Sequence, residues 1–296
     1  MSIVIHNRNG IHISERVTAS RLSGMNAAVT ASSSVGVRAR ARTRTQTAQL
    51  RPVQIYTLGR FDIRVGGVPL PKARKAPHRL LELLQAIVAG GGRAVPVPRL
   101  IDQLWPESEG DRGHATFVKS LKRLRKYLAI DGLVILEHGT VTLNPERCWT
   151  DASEFEQQCA RLEQREQRRK SPLWPSACED AITLYHGPFL SAQGEKAWVT
   201  PTRERLREMY VRAVARLSDH CRREGRIEQA IAWLDKGLRL HPQTEPLYLS
   251  LIALLLAGGR QTEARAVYHQ CVRVYVHELG QRLPPTVMRL YKKELQ

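Results

Sequence analysis

Apolar residues alternate with polar ones in the stretch that begins at Val53. They fall at every second position up to Thr57, and again from Phe61 to Val65. This alternation predicts β-strands, because successive side chains of a strand point to opposite faces of a sheet. Gly59 separates the two runs and Gly66-Gly67 closes the second. The pattern therefore predicts a short antiparallel hairpin.

Helical spacing replaces the alternation after Pro77. Apolar residues then recur every three or four positions until Gly90-Gly91-Gly92, which tolerates the backbone of a helix end. A second short helix is predicted between Pro98 and Pro106, because proline is accepted in a first turn and ends a helix that it cannot continue. A polar turn, Glu107–Gly110, leads to a third helix, and the three together predict a helix-turn-helix.

The third predicted helix, about Asp111 to Ala129, has two unlike faces. At about 100° per residue, its apolar side chains collect within a narrow stripe. Like-charged pairs at i,i+4 spacing, Lys119 with Arg123 and Lys122 with Lys126, cost helix stability. This tolerated repulsion indicates an anionic partner, and an ordinary solvated face is the alternative. The stripe consists of Phe117, Leu121, Leu124 and Leu128, and the opposite face carries Thr116, Lys119, Lys122, Arg123 and Lys126.

Two short apolar and β-branched runs follow this helix, Leu133–Leu136 and Thr140–Leu143. They flank Glu137-His138-Gly139, a turn of the size that a β-hairpin needs. A hairpin directly after a helix-turn-helix is the arrangement of a winged helix. We expect Asn144-Pro145 to end this unit.

The second half of the chain repeats itself with a period of 34 residues. This period, with glycine at the turn between two helices and small residues where helices approach, is typical of tetratricopeptide repeats. Two evident units are too few for an independent stack, so flanking helices are expected at about 153–170, 176–185, 203–216 and 285–294. Leu217, Cys221, Gly225, Ala230, Leu234 and Gly237 recur as Leu251, Leu255, Gly259, Ala264, Tyr268 and Cys271.

The predicted fold is mainly α, an α+β winged helix-turn-helix followed by an all-α, tetratricopeptide-like domain. The expected domains are residues 51–149 and 150–296. Residues 1–50 lack apolar periodicity and are rich in arginine, so we expect a disordered basic extension there. That extension could contact DNA as an arm. Alternatively, it is a solvated tail, or it results from a start codon that was assigned too far upstream.

The chain carries a large excess of positive charge. The chain has 46 Lys and Arg against 28 Asp and Glu, a net charge of +18, and the excess is densest in its first half. A basic surface binds polyanions because its cations replace the counterions of the phosphates. The charge therefore favours nucleic acid as the partner.

Several function classes are excluded by missing patterns. No apolar run reaches the roughly 20 residues of a membrane span and no leader opens the chain, so we expect a cytoplasmic protein. Neither GxGxxG, Walker A, GxSxG nor HExxH occurs, so we expect no enzyme and no cofactor. The cysteines lie singly, without zinc-ligand spacing, and are predicted to be buried thiols rather than metal ligands: Cys148, Cys159, Cys178, Cys221 and Cys271.

Several motifs, in their order, carry a resemblance to known families. The stretch from Val53 to about Trp149 resembles an OmpR-type winged helix. The whole of 53–296 resembles the SARP-type regulators, which join such a winged helix to a bacterial transcriptional activation domain (BTAD), and is similar to the C-terminal part of MalT-type regulators. The motifs are Leu58-Gly59-Arg60-Phe61, Leu104-Trp105-Pro106, Leu121–Leu128, Asp151–Glu156, Gly187–Leu190 and Glu278-Leu279-Gly280.

The resemblance implies a sequence-specific DNA-binding transcriptional regulator that acts as an activator. It would bind head-to-tail to direct repeats in promoter DNA and recruit RNA polymerase or a second copy of itself. Its third helix would enter the major groove and its hairpin the minor groove. A non-catalytic protein–protein adaptor that uses its tetratricopeptide-like repeats is the alternative. The expected DNA-binding residues are Thr116, Lys119, Ser120 and Arg123 at base edges, Lys122 and Lys126 at phosphates, and His138 in the hairpin.

Two segments depart from the families' pattern. Glu137 stands where an arginine is usual near the start of the wing, so the minor-groove contact is expected to be weaker or to come from elsewhere. His114-Ala115 stands where the SARP-type pattern has an Arg-Asn pair. The resemblance therefore does not specify the 5′ edge of the recognised DNA site.

Overall fold

The structure is a computed structural model that describes residues 51–70, 78–108, 110–167 and 174–294. The predicted basic extension at 1–50 lies outside the described residues. The fold is mainly α, and its first part combines two small sheets with three helices. The strands are β1 Val53–Tyr56, β2 Asp62–Val65, β3 Val68–Pro69, β4 Val95–Pro96, β5 Val134–Glu137, β6 Thr140–Leu143 and β7 Cys148–Thr150.

The helices follow the predicted order. Two short irregular segments accompany them, a 3₁₀ turn at Ser191–Gln193 and a π-helical turn at Arg273–Glu278. The helices are α1 His78–Ala89, α2 Val97–Leu104, α3 Gly110–Leu128, α4 Asp151–Gln167, α5 Trp174–Leu184, α6 Thr200–Arg223, α7 Ile227–Leu240, α8 Glu245–Ala257, α9 Gln261–Val272 and α10 Pro285–Glu294.

The predicted hairpin forms the centre of a larger sheet. β1 and β2 pair antiparallel, with Ile55 opposite Ile63. The full sheet has the order β3-β2-β1-β7, and β7 pairs parallel with β1, Val53 opposite Cys148. After Asn144-Pro145 the chain therefore returns to the sheet with which it began, a long-range pairing that local periodicity does not reveal.

A second sheet, in the order β4-β6-β5, closes the three-helix unit. Its hairpin, β5–β6, pairs Glu137 with Thr140, as the wing prediction requires. Helix α3 begins at Gly110 and ends at Leu128, each one residue before the predicted limit. The predicted winged helix is therefore present.

The helical part contains the predicted repeat. Gly225 and Gly259 have the same backbone conformation, with φ of +72° and +71°. After each glycine the next amide closes the turn in the same way: Arg226 N donates to Cys221 O at 2.8 Å and Arg260 N to Leu255 O at 2.9 Å. One boundary differs, because the helix predicted at 203–216 and the first helix of the repeat are one continuous helix, α6.

A close-packed junction joins the winged helix to the helical part. The Asp151 carboxylate, at the start of α4, accepts hydrogen bonds from Thr57 N and Oγ1 and from Leu58 N, at 2.7–2.9 Å. Gly59 lies so close to His186 that a Cβ on it would come within 2.9 Å of the His186 carbonyl. Lys196 pairs with the buried Glu82 carboxylate of α1. The part of the chain that contains α3 and the wing is thus joined to the helical part by direct contacts.

The five cysteines are free and buried, as predicted. Across the described ranges, no helix is both long enough and apolar enough to cross a membrane.

Candidate nucleic-acid interface

The inner face of α3 fixes the helix in the domain. Its predicted stripe is buried, with Phe117 and Leu124 at 0% exposure. Gly113 lets α3 approach α2, since a Cβ there would lie 2.8 Å from Ile101 Cγ2 and 3.2 Å from Ser108 O. The face opposite this buried stripe consequently points to solvent.

The outer face of α3 is cationic and unpaired. Lys119, Lys122, Arg123 and Lys126 are all exposed. Within the part of the chain that the structure describes, none of the four side chains has a carboxylate partner within 4.0 Å. We call these four residues the α3 cationic face.

Arginines of the helical part have a different environment. Arg222 and Arg223 bind the Asp219 carboxylate at 2.7 and 3.0 Å, and Arg239 binds Asp235 at 3.0 Å. These are i,i+3 and i,i+4 pairs, which stabilise an exposed helix. The α3 cationic face has no such pairs, so its charges are available to an external anion.

The two predicted hydroxyl residues lie at the edge of the cationic face. Thr116 and Ser120 are half-buried, and Thr116 Oγ1 donates to the Arg112 carbonyl at 2.8 Å. The Thr116 proton is therefore used within the helix, while its oxygen can still accept a hydrogen bond. Arg112 itself is exposed and one turn earlier. Arg112 is not among the predicted DNA-binding residues, although its spacing of seven residues from Lys119 places it on the same face.

The wing is hydrogen-bonded to both α2 and α3. His138 and Gly139 have φ of +48° and +71°, the two positive values of a type I′ turn. The Gly139 carbonyl accepts from Val97 N, at the start of α2, at 2.9 Å. Arg125 Nε, on α3, donates to Val134 O of β5 at 3.0 Å. The first bond ties the tip to the start of α2 and the second ties the first residue of β5 to α3, while Glu137 and His138 at the tip stay exposed.

The arrangement suits a duplex better than a small molecule. An α-helix fits the major groove, and cations on its exposed face can contact phosphates and base edges. No group of three or more His, Cys, Asp or Glu residues suited to a metal ion occurs in the described segments. Glu137 adds a negative charge at the wing tip, which opposes a phosphate contact there.

Comparisons with known proteins identify one domain and several relatives of this chain. The family described as bacterial transcriptional activator domain matches residues 150–295. Regulatory protein AfsR of Streptomyces griseus is 28% identical over 214 residues, which are 72% of this chain and 22% of AfsR. Transcriptional regulatory protein MoaR1 of Mycobacterium tuberculosis is 22% identical over 254 residues, 82% of this chain and 79% of MoaR1.

EmbR is a further relative. The Mycobacterium bovis transcriptional regulatory protein EmbR is 25% identical over 253 residues, 81% of this chain and 62% of EmbR. A solved structure, Mycobacterium tuberculosis EmbR in complex with low affinity phosphopeptide, matches with a TM-score of 0.61 and 24% identity, covering 83% of this chain and 65% of that one. This structural similarity shows the fold. Residues 150–295 are therefore a bacterial transcriptional activator domain, in a chain related to the SARP-type transcriptional regulators.

Proposed function

We propose that the chain is a sequence-specific DNA-binding transcriptional regulator, and that it acts as an activator at promoters. The observation that carries this proposal is the α3 cationic face, which is exposed and without carboxylate partners in the described residues. Its like-charged pairs at i,i+4 spacing lower the stability of the helix. Phosphates of a bound duplex would remove that cost. The named function of the relatives supports the same conclusion.

The residues of α3 are proposed to divide their work. Arg123, with Thr116, Lys119 and Ser120, meets base edges, and Arg123 is the residue suited to a bidentate contact with guanine. Lys122 and Lys126 contact phosphates, which position the domain without reading sequence. Arg123→Ala is expected to relax one base position at a cost of about 1–3 kcal/mol, whereas Lys126→Ala should weaken binding to all sequences alike.

The helical part is proposed to act on transcription through protein contacts. It belongs to a family named for transcriptional activation, and stacked helical repeats offer extended surfaces rather than reaction centres. RNA polymerase or a second copy of the chain is the proposed partner. The bacterial cytoplasm, where both meet promoter DNA, is the proposed location.

The test compares two quadruple variants of equal charge. One changes Lys119, Lys122, Arg123 and Lys126 to Ala, and the control changes Arg207, Arg222, Arg223 and Arg239, which are paired with carboxylates. Duplexes enriched from a random library by the full chain supply the target. Affinity of the wild type should fall steeply with salt, by a log–log slope of about −0.9 for each neutralised phosphate.

The α3 variant should lose most of its affinity and salt dependence, and the control should keep its sequence preference. Equal losses in the two variants would show that net charge alone drives binding. A wild-type chain that enriches no sequence would contradict promoter recognition and favour the adaptor function.

A further inference from the structure

One exposed apolar side chain interrupts the polar surface of α3. Val118 is 42% exposed, and it neither belongs to the hydrophobic core nor packs against it. Its helical neighbour Ala115, three residues earlier, is also exposed. Methyl groups therefore form a small apolar spot within the outer surface of α3, beside Lys119 and Lys122.

The spot lies on the side of α3 that faces the wing. Val118, Lys122 and Arg125 follow each other at i, i+4 and i+7, and so form one row along the helix. The last member of the row, Arg125, donates to Val134 O in β5 at 3.0 Å. A duplex that contacts both the α3 cationic face and the wing would cross this row, and would then lie against Val118.

The chemistry of the major groove decides what Val118 can recognise there. Each base edge in that groove presents hydrogen-bond donors or acceptors, and thymine alone adds an apolar group, its C5-methyl. An apolar side chain gains by covering that methyl, and would leave the polar edges of other bases without partners. Resting on the proposed function, we infer that Val118, with Ala115 beside it, reads a thymine of the recognised sequence through methyl contact.

The experiment removes the methyl from each partner in turn. Thymines of the enriched duplex are replaced singly by deoxyuridine, and the affinities of the wild type and Val118→Ala are measured for each duplex. We expect one or two thymines at which the wild type loses affinity about three- to tenfold, the effect of removing one buried methyl-sized group. Val118→Ala should bind the thymine and uracil duplexes equally at these positions.

Val276 supplies the matched control, because it is 41% exposed but lies in the helical part. Val276→Ala should keep the wild-type pattern of uracil sensitivity. If Val118→Ala keeps that pattern too, or if no thymine is sensitive in the wild type, the inference is wrong while DNA recognition stands. If no sequence is enriched at all, the proposed function fails, and the inference with it.

Discussion

At the scale of single residues, a buried histidine of the helical part makes the stability of the fold depend on pH. His241 lies among aromatic rings, with its Nε2 2.9 Å from the Tyr185 hydroxyl and its ring centroid 5.6 Å from that of Tyr210. Burial, and next the Arg207 guanidinium, lower the pKa of His241 to about 4 from its ordinary 6.5. The folded protein therefore holds this imidazole neutral, while the unfolded chain protonates it more readily.

This difference predicts a loss of stability in acid. Because the folded pKa is the lower one, the contribution of His241 is complete above pH 6.5 and disappears as pH falls through about 4. The loss amounts to roughly 3 kcal/mol at most. His241→Phe should flatten the pH dependence of the unfolding free energy over this range, although it leaves the Tyr185 hydroxyl without its partner and should lower stability at neutral pH.

Urea unfolding at several pH values measures both effects. His277 is exposed, so His277→Phe should keep the wild-type slope. A slope that stays the same in His241→Phe would show that other groups carry the acid sensitivity.

At the scale of elements, α3 combines a stable inner face with an outer face that opposes helix stability. The buried stripe of Phe117, Leu121, Leu124 and Leu128 holds the helix on the domain. Burial of such side chains contributes about 1.5–3 kcal/mol each, whereas each like-charged i,i+4 pair costs a few tenths. Packing therefore exceeds repulsion, and the cationic face can be kept without unfolding α3.

This balance predicts opposite effects on stability and binding for one charge reversal. Lys122→Glu places a carboxylate near Lys119, Arg125 and Lys126 at helical spacing. We expect the unfolding free energy to stay equal or to rise by about 0.5 kcal/mol, while affinity for the enriched duplex falls. Thermal unfolding and a binding titration on the same sample test the two parts.

Arg222→Glu is the matched control, since it makes the same charge change on α6 but breaks the pair with Asp219. It should lower stability slightly and leave the DNA sequence preference unchanged. A clear loss of stability in Lys122→Glu would mean that the α3 cationic face is not under the strain that we infer.

At the scale of the whole molecule, the junction decides how the winged helix and the helical part act together. Leu58 forms a β-bridge with Phe189, and Gly59 N donates to Pro188 O at 3.0 Å. Gly59 and Gly187 lie so close that a Cβ on Gly187 would be 3.0 Å from Gly59 Cα. If α3 binds DNA as proposed, this contact holds the helical part at a defined place beside the promoter.

The junction predicts a large difference between two glycine substitutions. Gly59 and Gly66 have φ of +82° and +59°, so alanine is strained at both. Gly66→Ala meets no atom within 4 Å, and should cost about 1 kcal/mol. Gly59→Ala also meets the His186 backbone at 2.9 Å, and should cost about 2–4 kcal/mol. Urea unfolding of the two variants measures the difference, and equal losses would contradict a close-packed junction.

Much of the fold and of the candidate site could be predicted because it depends on local periodicity. The two faces of α3, the wing turn at His138-Gly139 and the repeated turns at Gly225 and Gly259 each follow from residues within a few positions of one another. Arg125 shows the limit of such reasoning. It belongs to the basic segment of α3, yet its guanidinium serves the bond to β5, and only the fold brings Val134 within reach.

Local sequence patterns alone predict which helix is apolar on one side and cationic on the other, where a tight turn forms a wing, and that a helical repeat follows. These features depend on the fixed geometry of helices and turns, which neighbouring residues suffice to specify. The folded chain is needed to see that β7 pairs with β1, that the Asp151 carboxylate is buried against Thr57, and that Val118 is exposed on α3. These features depend on which segments, distant along the chain, pack together in the fold. A local sequence pattern does not specify that packing.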